Sequence, residues 1–481
     1  MTAGRSRDRS PGRSRPVASE RARVPAPLLK RRLPSGRGAM LQPNVTGDGE
    51  ARLTPRFWVL VLLTAVATGL LGDLMMLILF SVQHLAFGAP ESGNGFTAAV
   101  ARTGALHRML PLLIGGVFGG VAWYLLRRLT PGRKSEIDEV LWTGEGRLSL
   151  RRSFGTAVIS EIVVGLGASI GREAAPKLLG GLAGNLAGEW GRLSPAQQRL
   201  LVACGGGAGL ACVYNVPLGG ALFTAEVLLG SLNLPSILPA LACSGLATLT
   251  AWLLLPQHAT YDSIPAYRLH AALLVWAVLL GPVVGVLAAA YIRLIGWLSH
   301  HRVTGAWSML AMPVAFAVLA GLALKYPQLY GNGKGMAHDA FLGLGSLALL
   351  AALSVLKPLV TALVLGVGAS GGLFTPVMSS GAVLGGFLGL AWTQLWPGAP
   401  IGAYAMIGAA AMIGASMQAP LSALALVLEL THSGFSLMVP MIVATVLATA
   451  ITRWIDGYSI YSARIGAARA PSPPVPLAVA D

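Results

Sequence analysis

The chain has 481 residues, 54% of them hydrophobic and only 11% charged, with a mean hydropathy of +0.67. A soluble chain of this length is usually about a quarter charged, so this one lacks the polar residues to cover two or three soluble domains. The formal net charge of +16 is concentrated at one end.

Residues 1–56 carry thirteen Lys and Arg against four acids, among many Pro, Ser and Gly. This composition predicts a basic, disordered N-terminal tail. A nucleic-acid-binding arm is one reading. The excess of positive charge on the cytoplasmic side of membrane proteins explains the same residues more economically, so no nucleic-acid partner is expected. The first apolar run begins near Phe57, too late for a cleavable signal peptide. Apolar runs then cover roughly 57–88, 108–127, 153–170, 200–255, 270–298, 306–325 and 341–452. Several suffice for a membrane span of about 20 residues. Others are cut by Gly and Pro around 165–185, 205–220, 366–386 and 408–421. Backbone polar groups cannot be left bare in lipid, so such broken helices belong where they line a cavity. Cys204, Cys212 and Cys243 lie in apolar runs and read as small buried hydrophobes.

The halves of the chain correspond. Gly167-Ala168-Ser169 and then Leu179-Gly180-Gly181 are matched by Gly368-Ala369-Ser370 and Leu384-Gly385-Gly386. Asn215-Val216-Pro217-Leu218 leads to Glu226, and Gln418-Ala419-Pro420-Leu421 leads to Glu429, 203 residues later. An internal repeat follows, parallel or inverted.

An anion entering a membrane must have its water replaced. Helix N-termini can do this with free N–H groups and the positive end of the helix dipole. Gly171-Arg172-Glu173-Ala174-Ala175-Pro176 and Gly371-Gly372-Leu373-Phe374-Thr375-Pro376 are Gly-led turns with Pro near the first helical turn. An acid inside a membrane segment marks a functional site, which singles out Glu173; the plainer alternative is a salt bridge to Arg172.

The first turn resembles the GREGP motif of the chloride channel and chloride/proton exchanger family, and the second its GxFxP motif. Asn215 to Phe223 resembles the segment after GREGP, and Ser459-Ile460-Tyr461-Ser462-Ala463 the family's last segment. The resemblance implies an all-α, polytopic membrane domain over 57–465, built of two inverted repeats with broken helices, and a short tail over 466–481. Only 20 residues follow Tyr461, so no C-terminal regulatory domain is expected. It further implies a homodimer with one chloride path per subunit. Glu173 becomes the gate, and Leu373, Phe374 and Tyr461 become anion ligands, Tyr458 being the competing tyrosine.

Three departures from the family pattern bear on function. The family's Ser-bearing GSGIP segment is replaced by Pro131-Gly132-Arg133-Lys134-Ser135-Glu136-Ile137, which puts Gly132 at the Ser position, with Ser135 as a displaced substitute. Arg133 and Lys134 suggest a positive approach to the path, or a plain solvated loop. The Gly after the gate is Ala174, which stiffens the turn. The exchangers' proton-relay glutamate aligns with Val227, which cannot carry a proton. Glu226 next to it sits on another helix face, and with Glu429 it suits a helix-end role.

The expectation is a passive, channel-like chloride pathway in an inner bacterial membrane, gated by Glu173, with the tail cytoplasmic. The alternatives are a chloride/proton antiporter relaying protons through Glu161 or Glu226, and a sensor with a dead pore. No nucleophile–base pair, metal-ligand cluster or nucleotide loop suggests an enzyme or a cofactor. Gly331-Asn332-Gly333-Lys334-Gly335 lacks phosphate-loop spacing and reads as an ordinary loop.

Overall fold

The computed structural model describes residues 51–89, 95–132, 136–143 and 148–465. Arg133, Lys134, Ser135 and both terminal tails apart from residues 51–56 lie outside them.

The described residues form α-helices, most of them joined by short connections, with a longer one over 252–270. In the first half these are α1 (Pro55–Phe87), α2 (Gly95–Arg102), α3 (Ala105–Leu129), α4 (Ile137–Thr143), α5 (Leu150–Gly165), α6 (Ala174–Trp190), α7 (Pro195–Tyr214), α8 (Pro217–Phe223) and α9 (Leu234–Ala251). The second half has α10 (Ala271–His300), α11 (Ser308–Lys325), α12 (Lys334–Phe341), α13 (Leu347–Gly366), α14 (Phe374–Trp392), α15 (Ile401–Met417), α16 (Pro420–Thr431) and α17 (Met438–Ile455). Thus the apolar run 200–255 is three helices, and 341–452 is five. Eight helices among the described residues are long and apolar enough to cross a membrane. On α1, Val59, Leu63, Leu70 and Leu77 are exposed while Leu60, Met75, Met76 and Leu79 are buried. One side of that helix suits lipid and the other packs inward.

The architecture is the expected one: all-α, with two inverted repeats of broken helices. Local geometry repeats faithfully. α7 and α15 both end on a left-handed residue, Asn215 at φ 57° and Gln418 at φ 56°, and each is followed by a Pro that starts the next helix. Helix pairs approach closely through glycine, because lipid supplies no hydrophobic force to press helices together and tight packing must do it. A Cβ on Gly205 would strike the Gly180 carbonyl, and one on Gly408 would lie 2.7 Å from Gly385 Cα.

Two reciprocal contacts lock the repeats. The Glu226 carboxylate accepts from Leu421 N at 3.3 Å and Ser422 N at 2.7 Å, capping α16. The Glu429 carboxylate accepts from Leu218 N at 3.0 Å and Gly219 N at 2.5 Å, capping α8. Each acid closes the first turn of the helix that belongs to the other repeat. A two-fold relation demands such an exchange, and it satisfies amides that no intrahelical carbonyl can reach. Removing either acceptor leaves a partly buried donor unpaired, at a cost of about 1–3 kcal/mol. Glu226→Ala and Glu429→Ala are therefore expected to lower the melting midpoint of the detergent-solubilised protein by similar amounts. Unchanged midpoints would show that the caps add no stability.

Candidate anion site at the repeat junction

α5 and α13 each stop on a glycine, and the chain turns back before α6 and α14. Gly167 at φ 108° and Gly368 at φ 95° occupy corresponding places in the two turns, in a region where a side chain is strained. Four residues on, Gly171 and Gly372 pair in an antiparallel bridge, with N–H···O contacts of 2.8 Å in both directions. Residue and repeat mate thus pair with each other, which places the bridge on the pseudo-two-fold axis. The N-termini of α6 and α14 converge on either side of it.

Glu173 stands at the N-cap of α6, but its side chain does not cap that helix. It crosses to α14. Oε1 accepts from Phe374 N at 2.8 Å and lies 3.4 Å from Thr375 N. Oε2 is 3.0 Å from the Tyr214 hydroxyl and 3.2 Å from Thr375 Oγ1. The carboxylate is buried, so its charge is held by the first amides of a helix and by hydroxyls rather than by water. Bare backbone is needed here, since a Cβ on Gly171 or Gly372 would run into the carboxylate. Arg172 does not turn toward Glu173 as a simple ion pair would require. Its guanidinium lies over the faces of Tyr214, at 4.8 Å, and Phe80, at 5.9 Å.

Beside Glu173 lies a cavity whose wall includes Ser160, Leu373, Phe374 and Tyr461, with Glu136, Asp138 and Arg464 also lining it. Lys177 pairs with Asp138 at 3.0 Å and lies over the Tyr461 ring at 4.7 Å, tying α6, α4 and the last segment together. Arg464 and Arg302 lie 3.5 and 3.6 Å from the Glu136 carboxylate. The Arg464 charge, with help from Arg302, holds that carboxyl below the usual carboxylate range despite its partial burial.

The structure therefore brings Glu173, Leu373, Phe374 and Tyr461 to one place. It does not bring Gly132 there: that residue is exposed at φ 67° and is absent from the cavity wall, which the same stretch reaches instead through Glu136, Ile137 and Asp138. Val227 is buried within a π-helical turn, Thr224–Leu229. Glu226, in the same turn, is held by α16. Glu161 is fully buried on α5, and neither carboxylate oxygen has a hydrogen-bond partner among the described residues.

Sequence reasoning missed Tyr214, Thr375, Asn332 and Lys357. Tyr214 hydroxyl and Thr375 Oγ1 lie 2.5 Å apart, and Asn332 Nδ2 donates to the tyrosine oxygen at 3.4 Å. Asn332 belongs to the glycine-rich loop that reads as ordinary. Lys357, fully buried on α13, donates to Ser169 Oγ and to Gly331 O, both at 2.8 Å. The available signals were an unusual lysine inside an apolar run and a hydroxyl within the second glycine motif.

Comparison with known proteins gives the family and the fold. The family model described as voltage gated chloride channel matches residues 115–453. The voltage-gated ClC-type chloride channel ClcB of Citrobacter koseri is 29% identical over 74% of this chain and 86% of its own length. The same-named protein of Yersinia pseudotuberculosis is 29% identical over 84% of this chain and 98% of its own. Among solved structures, a slow cyanobacterial Cl−/H+ antiporter superposes with a TM-score of 0.73 at 23% identity, covering 85% of this chain and 97% of that one. A CLC-type fluoride/proton antiporter gives 0.67 at 20%, with the same coverages.

Tyr461 is buried at the cavity wall, whereas Tyr458 is only half-buried and does not line it. Removing one hydroxyl donor costs about 0.5–1.5 kcal/mol. Tyr461→Phe should therefore weaken halide binding several-fold in a titration, with a smaller effect for Tyr458→Phe. The reverse order would move the ligand to the other tyrosine. The chain belongs to the voltage-gated chloride channel family.

Proposed function

We propose that this protein passes chloride across the membrane through the Tyr461 cavity, with Glu173 as the gate and without tight coupling to protons. The observation that carries the reading is the Glu173 carboxylate resting on the Phe374 amide. A negative group fills the place where a helix start would receive an anion. While it stays, the path is closed. Protonation or a competing anion releases it. Leu373, Phe374 and Tyr461 then contact the ion in the cavity. The family resemblance extends the proposal to a homodimer with one path per subunit, in a bacterial inner membrane, with the basic tail on the cytoplasmic side.

Weak proton coupling is supported by two side chains. Val227 stands where a relay acid is expected, and Glu226 is engaged by Leu421 and Ser422. One observation favours the exchanger reading: Glu161 is buried with both oxygens unpaired among the described residues. An acid so placed has a cost of burial that function, rather than stability, explains.

Two experiments decide. Glu173→Gln mimics the protonated gate and should leave liposome chloride flux open and independent of pH; unchanged flux with an unchanged pH response would remove Glu173 from the gate. In the unaltered protein, a chloride gradient should drive little proton uptake, and the reversal potential should follow chloride alone. Sustained uphill proton movement, lost in Glu161→Gln, would establish the exchanger instead.

A further inference from the structure

The membrane face from which α1 starts carries a group of arginines that the gate does not use. Arg127 lies near the end of α3, Arg152 in the first turn of α5, Arg302 just after α10 and Arg464 in the last segment. Packing brings them together. Arg127 Nη2 donates to Gly368 O. A Cβ on Gly368 would lie 3.1 Å from Val303 O, so the residue after Arg302 reaches the same turn. Arg152 Nη1 donates to Thr130 Oγ1 at 3.1 Å, three residues along from Arg127. Arg302 and Arg464 flank the Glu136 carboxylate at 3.6 and 3.5 Å. We propose that this cluster is a receptor for a phosphate group, which closes this end of the chloride path when bound.

The donors of the cluster are largely unspent. Asp138 is taken by Lys177, so four guanidinium groups share Glu136. None of them grips it. Charge-assisted N–H···O bonds run to about 2.7–2.9 Å, and the two Glu136 contacts are longer. Arg293 shows the full pairing, with two nitrogens each 2.6 Å from an Asp456 oxygen. Arg127 Nη1 and Arg152 Nε are buried and have no hydrogen-bond partner among the described residues. Arginines at a membrane face are ordinary, but buried guanidinium atoms without an acceptor are not. The ligand such a group fits carries more than one negative charge and several oxygens. Phosphate does both, and each of its edges can take the paired N–H groups of a guanidinium. Chloride is a single sphere and cannot receive a two-pronged contact. Arg302 is 46% exposed and gives the ligand its way in.

The position explains the consequence. Glu136 and Arg464 line the cavity that reaches Glu173, and so does Thr156, one turn along α5 from Arg152. A phosphate spanning Arg152, Arg302 and Arg464 stands across the end of that cavity. Held by several guanidinium forks at once, it acts as a plug and not as cargo. The phosphate can be a free ion or the headgroup of a lipid in the adjoining leaflet, since both present the same oxygens.

The test titrates the full chain in detergent with sodium phosphate by calorimetry, at neutral pH and at fixed chloride and ionic strength. Binding should saturate. Arg152→Gln and Arg302→Gln should each weaken it about tenfold. Arg152→Lys, which keeps the charge and loses the fork, should weaken it as well. Glu136→Gln removes a competing carboxylate and should tighten it several-fold. Arg453→Gln, an exposed arginine at the end of α17, should change nothing. In phosphatidylcholine liposomes, phosphate should slow chloride flux through the unaltered chain and should no longer slow it in Arg152→Gln. Liposomes containing phosphatidic acid, without free phosphate, form the second arm. Slowing there that Arg152→Gln relieves identifies the lipid headgroup as the source, and slowing by the free ion alone identifies a soluble phosphate. Absence of saturable binding and of any slowing in both arms, binding indifferent to Arg152→Gln, Arg302→Gln and Glu136→Gln, or flux untouched by bound phosphate would overturn the proposal. The detergent titration is read without flux, so failure of the gate reading would leave the binding site standing.

Discussion

A carboxylate reaching across a two-fold axis to the first amides of another helix is the contact on which this site depends. Glu173 is carried by the start of α6, yet its charge is satisfied by the start of α14. The reach is short only because Gly171 and Gly372 pair directly and bring the two helix starts together. The bridge in turn needs both preceding helices, α5 and α13, to stop short and turn at Gly167 and Gly368. Broken helices, paired glycines and a buried acid are thus parts of one solution to keeping an ionisable group inside a membrane.

The same logic governs the acids farther along the chain. Glu226 and Glu429 each cap the helix of the other repeat, so their charges are spent on structure. Glu161 has no such engagement. Glu173 and Glu226 both accept from amides and a hydroxyl of the opposite repeat, but Glu173 also lines the cavity and Glu226 does not, while Glu161 has no hydrogen-bond donor among the described residues. Chemical role follows from that difference more than from position along the chain.

Much of this was legible beforehand. The 203-residue spacing of the Asn215 and Gln418 segments announced the repeat, and the glycine turns announced the two helix starts. The family motifs carried Glu173, Leu373, Phe374 and Tyr461 to one cavity. What stayed hidden depends on contacts across the axis. No local pattern says that Glu226 caps α16 rather than its own helix, or that a loop at Asn332 reaches Tyr214. Thr375 lay in view within a motif valued for its backbone, and its hydroxyl mattered only once the Glu173 side chain was seen to arrive there. Gly132 failed for the opposite reason. It was placed by counting residues along a loop, and a loop's spatial course is not set by its length.

The two-fold symmetry also explains why a single acid stands between the two helix starts. The repeat mate of Glu173 is Phe374. A second carboxylate at that position would face the first across the glycine bridge, two like charges in a buried space with little water to separate them. It would also aim its oxygens at the amides of α6 while Glu173 occupied those of α14, filling both helix starts at once. With phenylalanine there instead, the ring packs against Tyr214 at a centroid distance of 5.8 Å, and the Phe374 amide serves the Glu173 carboxylate. Symmetry supplies two helix starts aimed at one place, and breaking it at one residue leaves a single acid between them.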